Sequence, residues 1–571
     1  MNFTSTVPAD RRHPVHESEP SRLDALVVGA GIAGLYQLHR LRQQGLNVRV
    51  VEAAQDVGGT WFFNQYPGAR CDVESMNYSY SFSPELEQEW KWTQKYATQP
   101  EILRYVNHVA DRFDLRRDIS FSTRVLSAVY DEAIGRWDVT TDGGDVINAQ
   151  FVIMATGCLS ASKAPEIPGV DLFHGPTYHT AHWPHEQVDF TGLRVGVIGT
   201  GSSGIQVIPQ IAKQASDLTV FQRTPNFSTG ARHRPLTEEE VRDRKAGYRQ
   251  WRQAQKASFF GIPEPVPTQS ALEVSEAERT ARYRAGWESG TLNGLLAAYN
   301  DIVTDRAAND TAAEFVRSRI KEKVTDPAIA ETLSPRSFPY GTKRPCLDDG
   351  YYETFNRSNV HLVDLKKTPL VEIIESGVRT DEEHYPFDAI VFATGFDALT
   401  GALTAIDIRG RRGLSFKEKW SEGPRNYLGL MVAGFPNLFT MTGPLSPSVL
   451  SNMVVSIEQH VEWISDCLSV LRAEGHDTIE ATVEAEDQWV KHVAEIGSHT
   501  LVPTADSFYM GSNVPGKPRV LMAYFAGVAA YRAECEAVVA RDYDGFVRSN
   551  AASNAAAAPA GTGRALTAGR A

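Results

Sequence analysis

Two glycine-rich turns, each joining a short apolar strand to a helix, constrain the fold of this chain more than any other feature. The first turn, G-A-G-I-A-G at 29–34, follows the apolar segment 24–28 and precedes leucines at helical spacing. A second apolar segment, 47–51, then ends at Glu52. Strand, glycine turn, helix, strand and terminal acid together form the dinucleotide-binding pattern of a Rossmann unit. A glycine turn alone occurs by chance in many α/β proteins, but this complete order favours a binding unit.

Residues within the first unit have distinct expected tasks. Gly29 permits the tight turn, and Gly31 lets the backbone approach a pyrophosphate at the helix N-terminus. Gly34 allows close packing of helix against strand, and Glu52 can accept hydrogen bonds from a ribose.

The same pattern recurs at G-T-G-S-S-G, 199–204. In the first unit 23 residues separate the first glycine from the acid, and the same offset in the second unit leads to Gln222, followed by Arg223. Because the acid is replaced and a guanidinium lies beside its position, we expect a 2′-phosphate and hence NADP(H) here. A solvated surface arginine is the alternative interpretation of Arg223. The residues expected to bind the second coenzyme are Gly199, Thr200, Gly201, Ser202, Ser203, Gly204, Arg223 and Thr224.

Two dinucleotide sites in one chain imply electron transfer between two cofactors, usually a flavin in the first site and a nicotinamide in the second. An apolar strand ends in A-T-G twice, at 155–157 and at 393–395, which suggests that the chain leaves the first domain and later returns to it. We predict an α/β fold with two Rossmann-type dinucleotide-binding domains, in which the FAD domain is discontinuous and the NADP domain is inserted and carries a helical insertion. Along the chain we expect a flexible N-terminal arm (1–22), a first FAD-binding segment (23–157), a first NADP-binding segment (158–229), the helical insertion (230–339), a second NADP-binding segment (340–388), a second FAD-binding segment (389–548) and a disordered tail (549–571).

Composition excludes several classes of function. Acidic side chains outnumber basic ones by 70 to 57, for a formal net charge of −13, and such a field repels phosphate backbones, so no nucleic-acid partner is expected. The five cysteines form no C-x-x-C pair, so neither the redox pair of a disulfide reductase nor a metal site is predicted. The N-terminus lacks a signal-like apolar stretch and no apolar run reaches 18 residues, so we expect a cytoplasmic protein without a membrane span.

Three motifs point to one enzyme family. The segment 173–184 (F-H-G-P-T-Y-H-T-A-H-W-P) fits F-x-G-x-x-x-H-x-x-x-W-P, 58–72 fits G-G-x-W…Y-P-G-x-x-x-D, and 341–344 reads G-T-K-R. With these motifs the chain resembles the type I Baeyer–Villiger monooxygenases, a group of class B flavoprotein monooxygenases. The likeness runs from about Leu23 to Phe546 and looks nearest to the phenylacetone and steroid monooxygenase branch.

The resemblance implies a reaction: NADPH reduces FAD, O2 forms a C4a-peroxyflavin, and this peroxide attacks a ketone to give an ester or lactone. An anion beside a flavin in a dry site needs a fixed cation. Arg344 is the expected catalytic cation, because a guanidinium stays charged when desolvated, and Asp72 is expected to orient it. From the residues alone, a surface arginine and a structural aspartate are the alternatives. The branch favours a bulky or cyclic ketone, whereas no motif specifies the particular ketone or the oligomeric state.

The resemblance also assigns cofactor contacts and a linker. Arg70 and Cys71 are expected near the nicotinamide nucleotide, and Lys343 is expected to share the 2′-phosphate with Arg223. For His179 of the fingerprint, a buried, hydrogen-bonded histidine is the open alternative to a role in coupling domain motion to the cofactor. The residues expected to line the flavin are Gly59, Thr60, Trp61, Asp72, Tyr78, Val125 and Met453. The fingerprint residues are Phe173, Gly175, His179, Trp183 and Pro184.

Three positions depart from the family pattern. Phe508 stands where the family usually has Trp, in a mobile loop that closes on NADP, so the indole N–H donor is missing. Leu445 stands where near relatives tend to have Gly, close to the expected substrate pocket, and Cys158 occupies another variable position near the flavin. Both either reshape the pocket or repack silently.

Two other functions stay open at this point. A flavin monooxygenase that oxygenates nitrogen or sulfur shares both glycine turns and a looser fingerprint, but lacks the W-P ending and the Asp72/Arg344 pair. The third possibility is a non-catalytic flavoprotein that acts as a redox sensor or binding module, against which two complete cofactor sites argue.

Overall fold

The computed structural model describes residues 22–550, so the predicted N-terminal arm and disordered tail lie almost entirely outside the described residues. The strands are β1 Arg22–Val28, β2 Val48–Val51, β3 Ile119–Ser120, β4 Val125–Asp131, β5 Arg136–Thr141, β6 Val146–Met154, β7 Thr177–His179, β8 Arg194–Ile198, β9 Asp217–Gln222, β10 Ser228–Gly230, β11 Cys346–Asp348, β12 Val360–Asp364, β13 Leu370–Ile374, β14 Gly377–Thr380, β15 His384–Pro386, β16 Ala389–Phe392, β17 Asp407–Arg409, β18 Leu438–Thr440, β19 Thr478–Ala481 and β20 Phe546–Ser549. The helices are α1 Ile32–Gln43, α2 Thr60–Phe63, α3 Pro84–Glu89, α4 Gln99–Arg112, α5 Ser202–Ile211, α6 Glu238–Ala246, α7 Tyr248–Lys256, α8 Glu276–Ser289, α9 Arg306–Lys323, α10 Pro327–Leu333, α11 Tyr351–Thr354, α12 Gly401–Thr404, α13 Phe416–Lys419, α14 Met453–Glu474, α15 Val483–Ser498 and α16 Gly527–Ala540. Within 22–550, none of these helices combines the length and apolarity that crossing a bilayer demands.

The larger sheet contains strands from two distant regions of the chain. Its order is β17-β4-β5-β6-β1-β2-β3, and β18 also pairs with β6. The central strand β1 is parallel to β2 and β6 and is buried along most of its length, as expected where both faces of a parallel sheet are covered. Because β17 and β18 join a sheet otherwise built from residues before 155, the first domain is discontinuous, as predicted.

The second sheet is wholly parallel, in the order β12-β9-β8-β16-β7. Together the two sheets confirm an α/β fold with two Rossmann-type domains. One detail differs from the predicted division, because the boundary at 389 assigns β16 to the first domain. All four residues of β16 are buried, and the strand pairs with β8 and β7, so the chain rejoins the first sheet only after β16.

Helices α6–α10 occupy the predicted helical insertion, and they pack on two different cores. Tyr248 of α7 belongs to the core of the first domain, whereas Ala312 of α9 belongs to the core of the second. A buried ion pair also holds α7, because Arg252 Nε donates to Glu87 Oε1 at 2.7 Å and both side chains are 8% exposed. The insertion therefore bridges the two domains.

Candidate active site

A cavity of about 1230 Å³ lies where the two glycine turns face each other. It exceeds the roughly 300–1,000 Å³ of most single-ligand sites. Gly29 and Gly31 of the first turn and Gly201 of the second line it. Helix α1 begins at Ile32 and α5 at Ser202, so both helix N-termini, which favour phosphate groups, open on this cavity.

The glycines of the turns are required for two different reasons. A Cβ on Gly34 would lie 1.8 Å from the carbonyl oxygen of Gly29, and one on Gly204 would lie 2.3 Å from that of Gly199. These two positions need glycine so that helix and strand can pack closely. In contrast, a Cβ on Gly201 would meet nothing within 4 Å. Protein packing therefore leaves open space at Gly201, which fits the close approach of a pyrophosphate.

Glu52 lies on the cavity wall at the end of β2, at the position expected to bind a ribose. Its Oε2 accepts a hydrogen bond from the N–H of Ala30 at 2.6 Å, and its Oε1 accepts one from the N–H of Ala54 at 2.8 Å. The carboxylate thus also fixes the first glycine turn. Each carboxylate oxygen can accept a further bond, so the ribose role stays a prediction.

Arg344 and Asp72 meet on the cavity wall although 272 residues separate them. Arg344 Nε donates to Asp72 Oδ2 at 2.8 Å, and Nη2 donates to Oδ1 at 3.0 Å. The Arg344 side chain is 18% exposed and that of Asp72 is 28% exposed. Burial opposes the charge of Arg344, but the Asp72 carboxylate outweighs it, so the pKa of Arg344 is raised above its ordinary value. The pair therefore presents a permanent cation in fixed orientation.

Two further groups that the sequence did not identify hold Arg344. Its Nη1 donates to the backbone oxygen of Val449 at 2.5 Å, and its guanidinium interacts with the Tyr509 hydroxyl. Burial raises the pKa of Tyr509, so this phenol stays protonated. A backbone carbonyl cannot be recognised from the type of residue that carries it. For Tyr509, the one indication in the sequence is that it follows Phe508, which was expected near the coenzyme. Arg344 has five N–H groups, so up to two remain for a negative charge in the cavity.

The residues expected near the flavin and the nicotinamide share this cavity. Trp61 Nε1 donates to the Tyr78 hydroxyl at 3.3 Å, which fixes two of the aromatic side chains. Burial raises the pKa of Tyr78 and of Cys71, so both stay neutral beside the Arg344–Asp72 pair. The full predicted set that lines the cavity is Gly59, Thr60, Trp61, Arg70, Cys71, Asp72, Tyr78, Val125 and Met453.

The residues expected to bind the 2′-phosphate also lie on the cavity wall. Arg223, Thr224 and Lys343 line the cavity, as do Ser202 and Ser203. Burial lowers the pKa of Lys343, and the nearby charge of Arg223 lowers it further. From the remainder of the predicted second turn, Gly201 lines the cavity, whereas Gly199, Thr200 and Gly204 do not. Sequence reasoning missed another cation on this wall, Lys163.

The fingerprint residues belong to the second domain, not to the space between the domains as expected, and they do not line the cavity. His179 ends β7; its Nδ1 accepts from the N–H of Ala181 at 3.1 Å, and its Nε2 lies 3.0 Å from Thr394 Oγ1. Trp183 is buried against Tyr178. A Cβ on Gly175 would lie 2.6 Å from the Asp388 oxygen, and the remaining members are Phe173, which is buried, and Pro184. His179 is thus half-buried and hydrogen-bonded, and one of its partners, Thr394, belongs to the second A-T-G segment.

The three positions that depart from the family pattern differ in location. Phe508 and Cys158 line the cavity, and the Phe508 ring packs on Tyr509 with centroids 4.2 Å apart. Leu445 is buried away from the cavity wall, with φ of +65°. The expected effect of Leu445 on the pocket is therefore indirect. Its left-handed backbone explains why glycine suits this position.

Comparison with known proteins identifies the family. Residues 26–256 match the family model described as pyridine nucleotide-disulphide oxidoreductase, although all five cysteines are free. The chain is 42% identical over 534 residues to a Baeyer–Villiger monooxygenase from Pseudooceanicola batsensis, a match that spans 93% of this chain and 97% of that protein. This chain belongs to the Baeyer–Villiger monooxygenases. The predicted cofactors of this family member, FAD and NADPH, are confirmed.

Two other similarities bear on the chemistry of this Baeyer–Villiger monooxygenase. A solved structure described as oxidized steroid monooxygenase bound to NADP is 52% identical, has a TM-score of 0.89 and is matched over 93% of this chain and 100% of that one. The phenazine N-monooxygenase PhzNO1 of Lysobacter antibioticus is 41% identical over 537 residues, which cover 93% of this chain and 98% of that protein. The first agrees with the predicted branch, and the second shows that a protein named for nitrogen oxygenation is also similar over nearly its whole length, at lower identity.

Proposed function

We propose that this protein catalyses the NADPH- and O2-dependent oxidation of a bulky or cyclic ketone to an ester or lactone. The observation that carries the proposal is the bidentate Arg344–Asp72 pair on the wall of a cavity that both glycine turns share. No comparable need for a fixed cation exists in a flavoprotein that only senses redox state.

The residues present fit both cofactors. Open space beside Gly201, two helix N-termini and the cation Arg223 suit the phosphates, and the neutral side chains Trp61 and Tyr78 suit a flat heterocycle. Bound FAD supplies hydride acceptance from NADPH and the activation of O2.

Arg344 stabilises the negative charge that develops in the cavity during the reaction. Asp72 fixes the plane of the guanidinium, and the Val449 carbonyl fixes its free end, so the remaining N–H groups need no reorganisation. A preorganised donor of this kind contributes about 3–4 kcal/mol to transition-state stabilisation. Asp72 also offsets the charge of Arg344 when neither cofactor nor substrate is bound.

The substrate end of the cavity is apolar. Cys158, Val449 and Tyr509 belong to one buried cluster, which Phe508 and Leu159 flank. Apolar walls beside Arg344 favour a ketone with a hydrocarbon frame whose oxygen points towards the polar side of the cavity. These contacts support the proposed substrate class. The cytoplasmic location and the lack of a nucleic-acid partner remain predictions from composition.

Nitrogen oxygenation is the second candidate, favoured by the similarity to phenazine N-monooxygenase PhzNO1. The FAD-loaded protein should be incubated with NADPH, O2 and a panel of linear, aryl, cyclic and polycyclic ketones, a sulfide and aromatic nitrogen heterocycles. Mass spectrometry detects the gain of one oxygen, and NMR distinguishes an ester from an N-oxide or sulfoxide. Ester formation supports the proposal; N-oxide formation without ester from any ketone replaces it with the second candidate. Absence of NADPH oxidation would contradict both.

A further inference from the structure

Several cations on the cavity wall, among them Arg223, Lys343 and Lys163, form no close ion pair among the described residues. Arg223, Lys343 and Lys163 all line the cavity, and none has a carboxylate oxygen within 4.0 Å. This is unusual in a chain with a net charge of −13, where acids outnumber bases. Cations that are gathered on one wall without counter-ions indicate a site for an anionic group of a ligand.

The backbone of Lys163 is held from the second domain. His179 Nδ1 accepts a hydrogen bond from the N–H of Ala181, so the ring proton lies on Nε2, which is 3.1 Å from the Lys163 carbonyl oxygen. Thr394 Oγ1 donates to the same oxygen at 3.2 Å. Two side chains therefore fix the position from which the Lys163 side chain extends, and one of them is the fingerprint histidine.

The side chain of Lys163 reaches the cavity beside Arg223. The N–H of Lys163 donates to the oxygen of Gly395, just after β16, and Arg223 follows β9. Because β9 and β16 flank β8 in a parallel sheet, both cations lie at the carboxyl edge of that sheet. Burial lowers the pKa of Lys163, and the charge of Arg223 lowers it further. Its Nζ donates to the backbone oxygen of Asn513, which also lines the cavity. An ammonium has three donors, so two remain for a ligand.

We propose that Lys163 is a third cation for the 2′-phosphate of NADPH, beside Arg223 and Lys343, and that His179 and Thr394 are positioning residues for it. The inference rests on the proposed use of NADPH. A 2′-phosphate carries up to two negative charges. NADH lacks this phosphate, so its binding would leave three cations without an anionic partner, which disfavours NADH. The fingerprint histidine then contributes to coenzyme selection without touching the coenzyme.

The test measures binding, not turnover. Isothermal titration calorimetry on the FAD-loaded protein compares NADP+, NAD+ and 2′,5′-ADP for the wild type, Lys163→Met and Lys163→Arg. Loss of one charge-assisted contact predicts about tenfold weaker binding of NADP+ and 2′,5′-ADP to Lys163→Met, with partial recovery in Lys163→Arg. Binding of NAD+ should change less than twofold. Lys213→Met, at an exposed lysine whose side chain donates to Gln210, is the matched control and should bind as the wild type does.

The outcomes separate the inference from the proposal on which it rests. A wild type that does not prefer NADP+ to NAD+ overturns the assignment of the coenzyme. A wild type that prefers NADP+, with an unchanged ratio in Lys163→Met, overturns only the role of Lys163. Equal weakening of NADP+ and NAD+ would show that Lys163 acts through its bond to Asn513, and this too overturns the inference. Thr394→Val, which removes one of the two bonds to the Lys163 carbonyl, should lower the NADP+/NAD+ affinity ratio without loss of flavin binding.

Discussion

The substitution Arg344→Lys separates the charge of this residue from its geometry. Arg344 uses Nε and Nη2 for Asp72 and Nη1 for Val449, which leaves donors on its outer edge for the cavity. A lysine keeps the positive charge but gathers three donors at one point, so it cannot satisfy the two carboxylate oxygens, the carbonyl and an anion together. We expect a loss of about 3–4 kcal/mol in transition-state stabilisation, which is a hundredfold to thousandfold slower ester formation.

Two assays isolate the step that Arg344 serves. Anaerobic stopped-flow measures the reduction of bound FAD by NADPH, which should change less than about threefold because the lysine retains the charge. Aerobic turnover with quantified ester and hydrogen peroxide should show NADPH oxidation that yields hydrogen peroxide in place of ester. Arg344→Ala should abolish ester formation altogether. If Arg344→Lys makes ester at near wild-type rate, the bidentate geometry is unnecessary and the reasoning is wrong.

Five other substitutions test separate regions of the structure. Gly204→Ala should lower the melting temperature by several degrees, because its Cβ would lie 2.3 Å from a backbone oxygen. Gly201→Ala should leave the melting temperature unchanged and weaken NADP+ binding. The reverse result would contradict the assignment of Gly204 to packing and of Gly201 to coenzyme binding. Lys343→Met should raise the KM for NADPH far more than it lowers kcat, and an equal effect with NADH would exclude a 2′-phosphate contact. Phe508→Trp should tighten NADP+ binding through the added N–H donor, which a binding titration checks, and an unchanged Kd would count against it. Burial raises the pKa of Glu264 from 4.5 to about 7, so the folded state binds the proton of this carboxyl more tightly than the unfolded state does. The charged carboxylate therefore destabilises the folded protein increasingly as pH rises from 4.5 to 7. Glu264→Gln should stabilise the protein by about 1–3 kcal/mol at pH 8 and not at pH 4, as measured by denaturant titration.

The sequence predicted the features of the site that residue type and spacing encode. Glycine turns and the Arg344–Asp72 pair belong here, because close backbone approach and a buried cation each demand a particular residue. Contacts made by main-chain atoms could not be predicted, and the Val449 carbonyl is the clearest case. Lys163 was missed since a lysine outside a motif has the same appearance in sequence whether it lies on a surface or a cavity wall.

Tertiary packing also decided features that local pattern left open. β16 carries the same apolar strand and A-T-G ending as β6, but its pairing with β8 places it in the second sheet. The helical periodicity of 230–339 predicted helices, yet gave no information on which core each helix joins. Partner choice depends on side chains far away in the chain, such as the Glu87 that pairs with Arg252.

The division of the inserted helices between two cores has a mechanical consequence. Besides the segments that follow β6 and β16, the connector between α7 and α8, residues 257–275, also links the two domains, because α7 is anchored to one core and α9 to the other. That connector carries Pro263, Pro265 and Pro267, which restrict its backbone and oppose coiling or collapse. The inserted helices are therefore joined by a stiff spacer, so a rotation of one domain relative to the other is expected to be small at this connection.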